Sequence, residues 1–347
     1  MMRRALSPAA TSILLVLVTI GLAAALVHVA GFDVGRAGHA AWQGAFGSHS
    51  AIISATLKRA IPLMLLGVAV AIAFRAGVLN IGADGQFMAG ATASVATGLS
   101  LTGAPPLVVL GSSLCAGVAG GAAWAALAAW LRARFGVAEV ISTLLLNFVA
   151  TNLVGYLVRG AMQEPTHAYP QSAVLTAAAR LPQLIPGERL HAGFVIAVLV
   201  CVAASSVFER TVFGFRAKAV GLNPKAVESV GGVSAIQVQV SALIVSGGVA
   251  GLAGFCETSG VTYALYEDLS PGYGYTAIAV ALLGGLRPIG VAVAAIFFGA
   301  LGAGADAVQR DAGVPAELAS VVAALVILGL LVVPHVQGRT RPRGPAE

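Results

Sequence analysis

The chain has 347 residues, 58% of them apolar and only 10% charged, with a mean hydropathy of +0.90. A water-soluble domain carries about 25% charged residues, so the composition excludes a soluble globular protein and indicates a polytopic membrane protein whose solvent is lipid. The net charge of +6 is spread over short segments with no continuous basic cluster, which argues against a nucleic-acid surface and leaves membrane orientation as its use.

A helix that crosses a bilayer needs about 20 mainly apolar residues. The first such run is Thr11–Ala30. Met1-Met2-Arg3-Arg4 before it resembles the basic start of a secretory signal, but with so many apolar runs behind it the segment reads as an uncleaved first helix. Further runs cover 51–74, 87–102, 106–131, 138–158, 191–208, 235–255, 275–284, 289–306 and 317–334. The expectation is an all-α polytopic membrane helix bundle of about ten transmembrane helices. The shortest run, 275–284, is parted from the next by Gly284-Gly285-Leu286-Arg287-Pro288. The 43 glycines suit close helix packing in lipid.

Basic residues orient the bundle. With a cytoplasmic N-terminus the inner segments are Arg3-Arg4, Arg132 and Arg134, the stretch 209–234 with Arg210, Arg216, Lys218 and Lys225, then Arg287 and the tail residues Arg339, Arg341 and Arg343. The outer segments are 31–50, 159–190, 256–274 and 307–316. Lys58, Arg59 and the three arginines of the long 159–190 loop run against the bias. On balance both termini are expected on the cytoplasmic side.

Two stretches break the apolar pattern. The first is "AIAFRAGVLNIGADGQFMAGA", residues 71–91, which sets Arg75, Asn80, Asp84 and Gln86 among Gly77, Gly82 and Gly85. The charge-free run before it, Ala60–Phe74, has 15 residues. That is about 22 Å of helix against a hydrocarbon core of about 30 Å, so the break after the second span should lie at depth. Non-helical backbone is tolerated there only when buried in protein or lining a wet cavity, and transporters build translocation sites from such broken helices. A plain cytoplasmic turn, with Arg75 as its basic anchor, accounts for the same residues equally well. In the second stretch, "ERTVFGFRAKAVGLNPKAVESVGGVS" (209–234), Asn223 can cap a helix, Pro224 fits its first position and Gly231-Gly232 can end it. The predicted helix, Pro224–Val230, is about two turns long and too short to persist without a surface to dock on. Lys225 and Glu228 stand three apart on one polar face.

Catalytic signals are sparse. None of the lysines, Lys58, Lys218 and Lys225, follows a glycine, so no phosphate-cradling G-x-x-x-x-G-K-[ST] loop exists. The histidines (28, 39, 49, 167, 191 and 335) form no H-E-x-x-H pair, and no G-x-S-x-G elbow occurs. Cys115, Cys201 and Cys256 lie far apart in or beside apolar runs, without disulfide or metal-ligand spacing. Glu139, Asp306 and Glu317 sit at the ends of apolar runs, whereas a proton-coupled carrier needs carboxylates in mid-helix. No catalytic residue and no metal ligand is expected.

These features together resemble the permease subunit of an ABC-type importer of the branched-chain-type group, in its nucleoside and simple-sugar branch. "AFRAGVLNIGADGQFMAGA" (73–91) resembles that group's FRxGxxNIGxEGQ signature, with Asp84 where glutamate is usual. "EVISTLLLNFVATNLVGYLV" (139–158) resembles its next segment. "FGFRAKAVGLNPKAVESVGGVS" (213–234) is similar to its G-x-N-x-x-A coupling region, carried by Gly221, Asn223 and Ala226. "GYGYTAIAVALLGGLRPIGVAVAAIFFGAL" (272–301) resembles its C-terminal core.

The resemblance is strongest over 62–334 and implies a single transmembrane permease domain, 1–347, with a cytoplasmic coupling loop at 209–234. It implies a translocation path for nucleosides or simple sugars lined by Asn80, Gly82, Asp84 and Gln86. Coupling to an ATP-binding subunit would run through Gly221, Asn223, Pro224, Lys225 and Glu228. The implied partners are that ATP-binding subunit, a second and homologous permease chain, an extracellular substrate-binding lipoprotein and membrane lipid. ATP and Mg would be used by the partner subunit, with no cofactor bound by this chain, in the cytoplasmic membrane of a bacterium. With 6% aromatics the chain offers little stacking surface, which fits selectivity residing in the binding protein. The alternative is an ion-coupled secondary transporter of small polar solutes.

Overall fold

The computed structural model describes residues 8–230 and 232–339; Arg3, Arg4, Arg341 and Arg343 lie outside them. The described residues form α1 (Pro8–Val29), α2 (Val34–Phe46), α3 (Lys58–Arg75), α4 (Ala83–Ser100), α5 (Pro106–Phe135), α6 (Glu139–Val158), α7 (Gly193–Arg210), α8 (Val212–Leu222), α9 (Pro224–Val230), α10 (Ala235–Glu257), α11 (Tyr273–Leu283), α12 (Pro288–Ala312) and α13 (Ala316–Arg339). The protein is an all-α polytopic bundle. Each predicted apolar run lies on one helix; α2, α8 and α9 fall outside those runs, and α9 is the helix expected from Asn223 and Pro224.

Six helical segments among the described residues are by themselves long and apolar enough to cross a bilayer: Ala51–Arg75, Pro106–Phe135, Glu139–Val158, Gly193–Arg210, Ala235–Thr262 and Pro288–Ala312. The first and fifth include π-helical turns, Ala51–Leu57 and Thr258–Thr262. The remaining runs differ from plain crossings for local reasons. α1 is followed after a 120° bend by α2, the geometry of a broken span or of a re-entrant loop. α4 starts at Ala83 and so takes the polar Asp84 and Gln86 into its first turn. The 11 residues of α11 reach about 16 Å, half the thickness of a hydrocarbon core.

The helices fall into two compact units. One comprises the residues up to Thr56 together with those from Gly299 on. Within it α1 packs on α13, with Gly329 set against the side chain of Thr19. α2 is capped by Asp33, whose carboxylate accepts from Arg36 N at 2.5 Å. It lies against the end of α12, where Gly44 meets Ala303 and Ala307 and the Arg36 guanidinium donates to the Asp311 carbonyl at 3.1 Å.

The other unit, Leu57–Phe298, is built around α3. Every residue from Ala60 to Ala73 is buried. A helix that is apolar all round belongs in the middle of a bundle. α10 covers α3 and packs on α4 and α5. Lipid is as apolar as a leucine side chain, so helices in it associate through close backbone approach rather than through the hydrophobic effect. The seam shows this directly. A Cβ on Gly251 would overlap the carbonyl oxygen of Gly117 and stand 2.9 Å from Gly121 Cα. On Gly90 it would overlap Gly251 Cα, and on Gly254 it would stand 2.6 Å from Ala91 N.

Two helix ends in this unit use the same turn. α3 stops at Gly77 (φ 74°), with Val78 N donating to Ala73 O and Gly77 N to Phe74 O, each at 3.0 Å. This is a Schellman cap, which places glycine at the left-handed position. α11 stops at Gly285 (φ 63°) with the equivalent pair, Leu286 N to Ala281 O and Gly285 N to Leu282 O. Each turn is followed by an Ile-Gly pair, Ile81-Gly82 and Ile289-Gly290.

The loop between α6 and α7 folds back on the segment that follows α10. Ser172 N donates to Leu265 O, Leu175 N to Tyr263 O and Leu181 N to Ser259 O, all within 2.9 Å, and the Arg180 guanidinium lies 4.6 Å over the Tyr263 ring. At the end of the loop the His191 ring is wedged beside Gly193 and Gly260. Its Nδ1 accepts from Gly193 N at 3.2 Å, so the proton sits on Nε2.

Two outcomes follow. Gly251→Ala is expected to destabilise the purified protein by about 1–3 kcal/mol through overpacking. Gly111→Ala, on the same seam helix α5 but facing open space, is expected to leave its Tm unchanged or raised; thermal unfolding in detergent compares the two. Burial, and then the charge of Lys58, lowers the His191 pKa from 6.5 to about 4. The unfolded chain therefore takes up the proton first. The contribution of this group to stability is expected to be full above pH 6.5 and to fall as the pH drops towards 4, because the added proton turns Nδ1 into a donor facing the Gly193 N–H. In His191→Gln this part of the slope of Tm against pH is expected to vanish.

Candidate functional site

The polar break begins where the Gly77 turn releases the chain from α3. Residues 78–82 carry no regular secondary structure, and a non-helical backbone inside a membrane protein must find its partners in the protein. Asn80, fully buried, supplies them. Its Oδ1 accepts from Gly82 N at 2.9 Å and from Gln86 Nε2 at 3.0 Å. Its Nδ2 donates to Gln86 Oε1 and to Ser246 Oγ on α10, both at 2.9 Å. Ser246 passes the link on, donating to the Ala69 carbonyl of α3 at 2.6 Å. One amide thus ties the break to α3, α4 and α10.

α6 holds the other side. Asn147 Nδ2 donates to Ile81 O at 2.9 Å and to the Tyr275 hydroxyl at 3.2 Å, while its Oδ1 accepts from Gly85 N at 2.8 Å. Thr143 Oγ1 accepts from Ile81 N at 3.3 Å. Gly82 and Gly85 lie tight against α6: a Cβ on Gly82 would stand 2.8 Å from Thr143 Cβ, and one on Gly85 3.0 Å from Asn147 Cα.

Asp84 sits in the first turn of α4 and is 8% exposed. Its Oδ1 accepts from Ser270 Oγ at 2.6 Å and from Gly274 N at 2.9 Å, and Gly274 is pressed against the Asp84 backbone. The carboxylate therefore stands at the N-terminal ends of both α4 and α11, where unpaired amides and helix dipoles favour a negative charge. That is why this position accepts an acid within an apolar bundle. Below the break Arg132 of α5 ion-pairs with Glu139 and donates to Gln239 Oε1 of α10 at 2.8 Å; Glu139 Oε1 in turn accepts from Leu79 N at 3.4 Å.

The structure thus brings Asn80, Gly82, Asp84 and Gln86 together, and spends Asn80 and Gln86 largely on each other. Sequence reasoning missed Asn147, Thr143, Ser246, Ser270, Tyr275 and the Arg132–Glu139–Gln239 set. Asn147 and Ser246 were visible in principle, as polar side chains in the middle of apolar runs.

The second predicted group lies on α8 and α9 of the same unit. Asn223 caps α9, its Oδ1 accepting from Ala226 N at 3.1 Å. Pro224, Lys225 and Glu228 are exposed, and Val227 is the half-buried side of the helix. α8, which precedes α9, is capped by Thr211. A groove of about 330 Å³ opens between α8 and the start of α10, lined by Phe213, Arg216, Val233, Gln237 and Ser241 among others. Among the described residues no three His, Cys, Asp or Glu side chains are placed to hold a metal ion.

Asn80→Ala strands the Gly82 amide, the Gln86 side chain and one bond of Ser246 inside the protein. At about 1–3 kcal/mol for each buried group left unpaired, its Tm in detergent is expected to fall by more than that of Asp84→Asn, which keeps an acceptor for Ser270 and Gly274.

The chain is similar in sequence to known proteins. Residues 52–331 match the family described as branched-chain amino acid transport system / permease component. The guanosine ABC transporter permease protein NupP of Bacillus subtilis is 35% identical over 90% of this chain and 91% of its own. The glucose ABC transporter permease protein TsgB13 of Haloferax volcanii is 40% identical over 80% of this chain and 76% of its own. The nucleoside ABC transporter permease protein NupB of Lactococcus lactis is 33% identical over 81% and 79% respectively. The ion-coupled alternative is set aside on this ground: with its helical core, its buried break and its capped α9 all inside the matched span, the chain belongs to the permease-component family of ABC transport systems.

Proposed function

We propose that this chain is a single permease domain that forms, with a second and homologous permease chain, the path by which an ATP-driven importer moves nucleosides or related simple sugars across a bacterial cytoplasmic membrane. The family match over 52–331 carries this reading. The substrate class is taken from the guanosine, nucleoside and glucose permeases to which the chain is similar.

In this reading both termini are cytoplasmic, and an extracellular binding lipoprotein delivers the solute. Hydrolysis of ATP with Mg takes place in a separate subunit, and the permease chain binds no cofactor of its own. The break at 77–86 borders the path. Asn80, Gly82 and Gln86 keep its shape, and Asp84 offers the path the carboxylate oxygen that its bonds to Ser270 and Gly274 leave over. The 209–234 loop faces the ATP-binding subunit. A two-turn helix is not stable alone in water, and the exposed side of α9, with Lys225 and Glu228, is polar as a contact with a soluble subunit requires. Gly221, Asn223 and Pro224 set where that helix starts.

The test is reconstitution of the permease pair with its ATP-binding subunit and binding protein in vesicles. ATP-dependent uptake of a radiolabelled nucleoside is expected, with glucose as the competing candidate. Glu228→Lys is expected to insert normally and to lose subunit assembly or the stimulation of ATP hydrolysis by loaded binding protein. Uptake, assembly and stimulation all at the parental level in Glu228→Lys would remove α9 as the coupling element.

A further inference from the structure

The two motifs that interrupt the apolar pattern, around Asn80 and around Asn223, are far apart in the chain and touch in the fold. A Cβ on Gly221 would overlap the carbonyl oxygen of Arg75 and stand 2.9 Å from its carbonyl carbon and 3.1 Å from Gly77 N. From the other side, a Cβ on Gly77 would stand 3.2 Å from Gly221 Cα and 3.8 Å from Gln239 Nε2. The contact is backbone on backbone, with no side chain between.

Both sides of this contact are stiff. Gly77 is the left-handed residue of the cap that ends α3, and three residues later Asn80 enters its network with Gln86 and Ser246. Gly221 lies in the last turn of α8, two residues before Asn223 caps α9. The start of α8 is pinned in turn: a Cβ on Gly214 would stand 2.5 Å from Phe208 Cα, and the Arg75 guanidinium lies 4.5 Å over the Phe208 ring. Beside the contact, Arg132 joins Gln239 to Glu139, and Glu139 accepts from Leu79 N. A side-chain contact can absorb a small displacement by changing rotamer. Two glycine backbones in contact cannot, because packed interiors have no slack to take it up.

We propose that the Gly77–Gly221 contact is the point at which displacement of α8 and α9 is handed to the polar break, which makes these two glycines positioning residues for transport. The proposal rests on the reading of α9 as the contact with the ATP-binding subunit. A push on α9 moves the end of α8, the end of α8 bears on residues 75–77, and the turn carries Leu79 and Asn80 with it. The Arg132–Gln239–Glu139 set keeps Leu79 in register while this happens.

The test uses the assembled importer in vesicles, with Cys115, Cys201 and Cys256 replaced by alanine. Leu79 and Leu222, which are 48% and 79% exposed, are changed to cysteine one at a time. The rate of reaction with a water-soluble maleimide is then followed as ATP and vanadate are added. Both rates are expected to change with nucleotide, and in the same kinetic step. Gly77→Asp and Gly77→Asn are then introduced. Asparagine tolerates the left-handed backbone, so the second variant adds bulk at the contact with little strain. Both are expected to assemble, to hydrolyse ATP and to keep the nucleotide-dependent change at Leu222. They are expected to lose the change at Leu79 and to take up solute about tenfold more slowly.

A change at Leu79 that persists at the parental rate in these variants overturns the proposal. If the variants fail to accumulate, the parental chain decides: changes at Leu79 and Leu222 in separate steps overturn it, and a shared step upholds it. A Leu222 cysteine indifferent to nucleotide overturns the coupling reading of α9, and this proposal with it; a responsive Leu222 with an indifferent Leu79 overturns this proposal alone.

Discussion

A backbone that leaves its helix inside a membrane protein has no water to fall back on, and every amide it frees must be matched by the protein itself. In this chain the obligation falls on Asn80. Its side chain is a donor and an acceptor at once. It uses both ends against Gln86 while also satisfying the amide of Gly82 and the hydroxyl of Ser246. An aspartate could not donate there, and a leucine could do neither. That one amide ties α4 to α3 and α10 at the break, and Gly90 and Gly254 bring α4 and α10 into backbone contact further along the seam.

Asp84 extends the same logic to charge. A carboxylate in an apolar bundle is costly unless hydrogen-bonded. The cost is offset by bringing in a second helix end, so that Gly274 N and Ser270 Oγ both point at Oδ1. The short α11 thereby gains a fixed starting point. The stretch leading to it, 258–266, is held in turn by the ladder to Ser172, Leu175 and Leu181. The order of α11 thus depends on a loop at one end and on an acid on another helix.

Much of this was legible in the sequence where the cause is local. Length and hydropathy located the helices. The end of the apolar run at Phe74 and the Asn223-Pro224 pair are short-range signals, and α3 ends at Arg75 and α9 begins at Pro224. The polar break was visible as an anomaly in composition. Its wiring was not, because Asn147, Ser246 and Ser270 lie on other elements and are chosen by which helices become neighbours. α8 was missed for a related reason: it is short, with Arg216 and Lys218 breaking its apolar residues, and it becomes a distinct helix through the Thr211 cap and the Gly214 contact with Phe208. The start of α4 fell four residues earlier than the apolar run, since hydropathy ends at Gln86 while the Asn80 network lets the helix begin at Ala83.

The glycine seam of α4, α5 and α10 has a mechanical meaning. A wall in which the Gly117 carbonyl touches Gly251 and the Gly247 carbonyl touches Gly121 leaves no gap that a side chain could swing out of to admit a solute. It behaves as a plate: it can tilt or slide whole, but it does not open from within. A plate so locked transmits a displacement from one edge to the other rather than absorbing it.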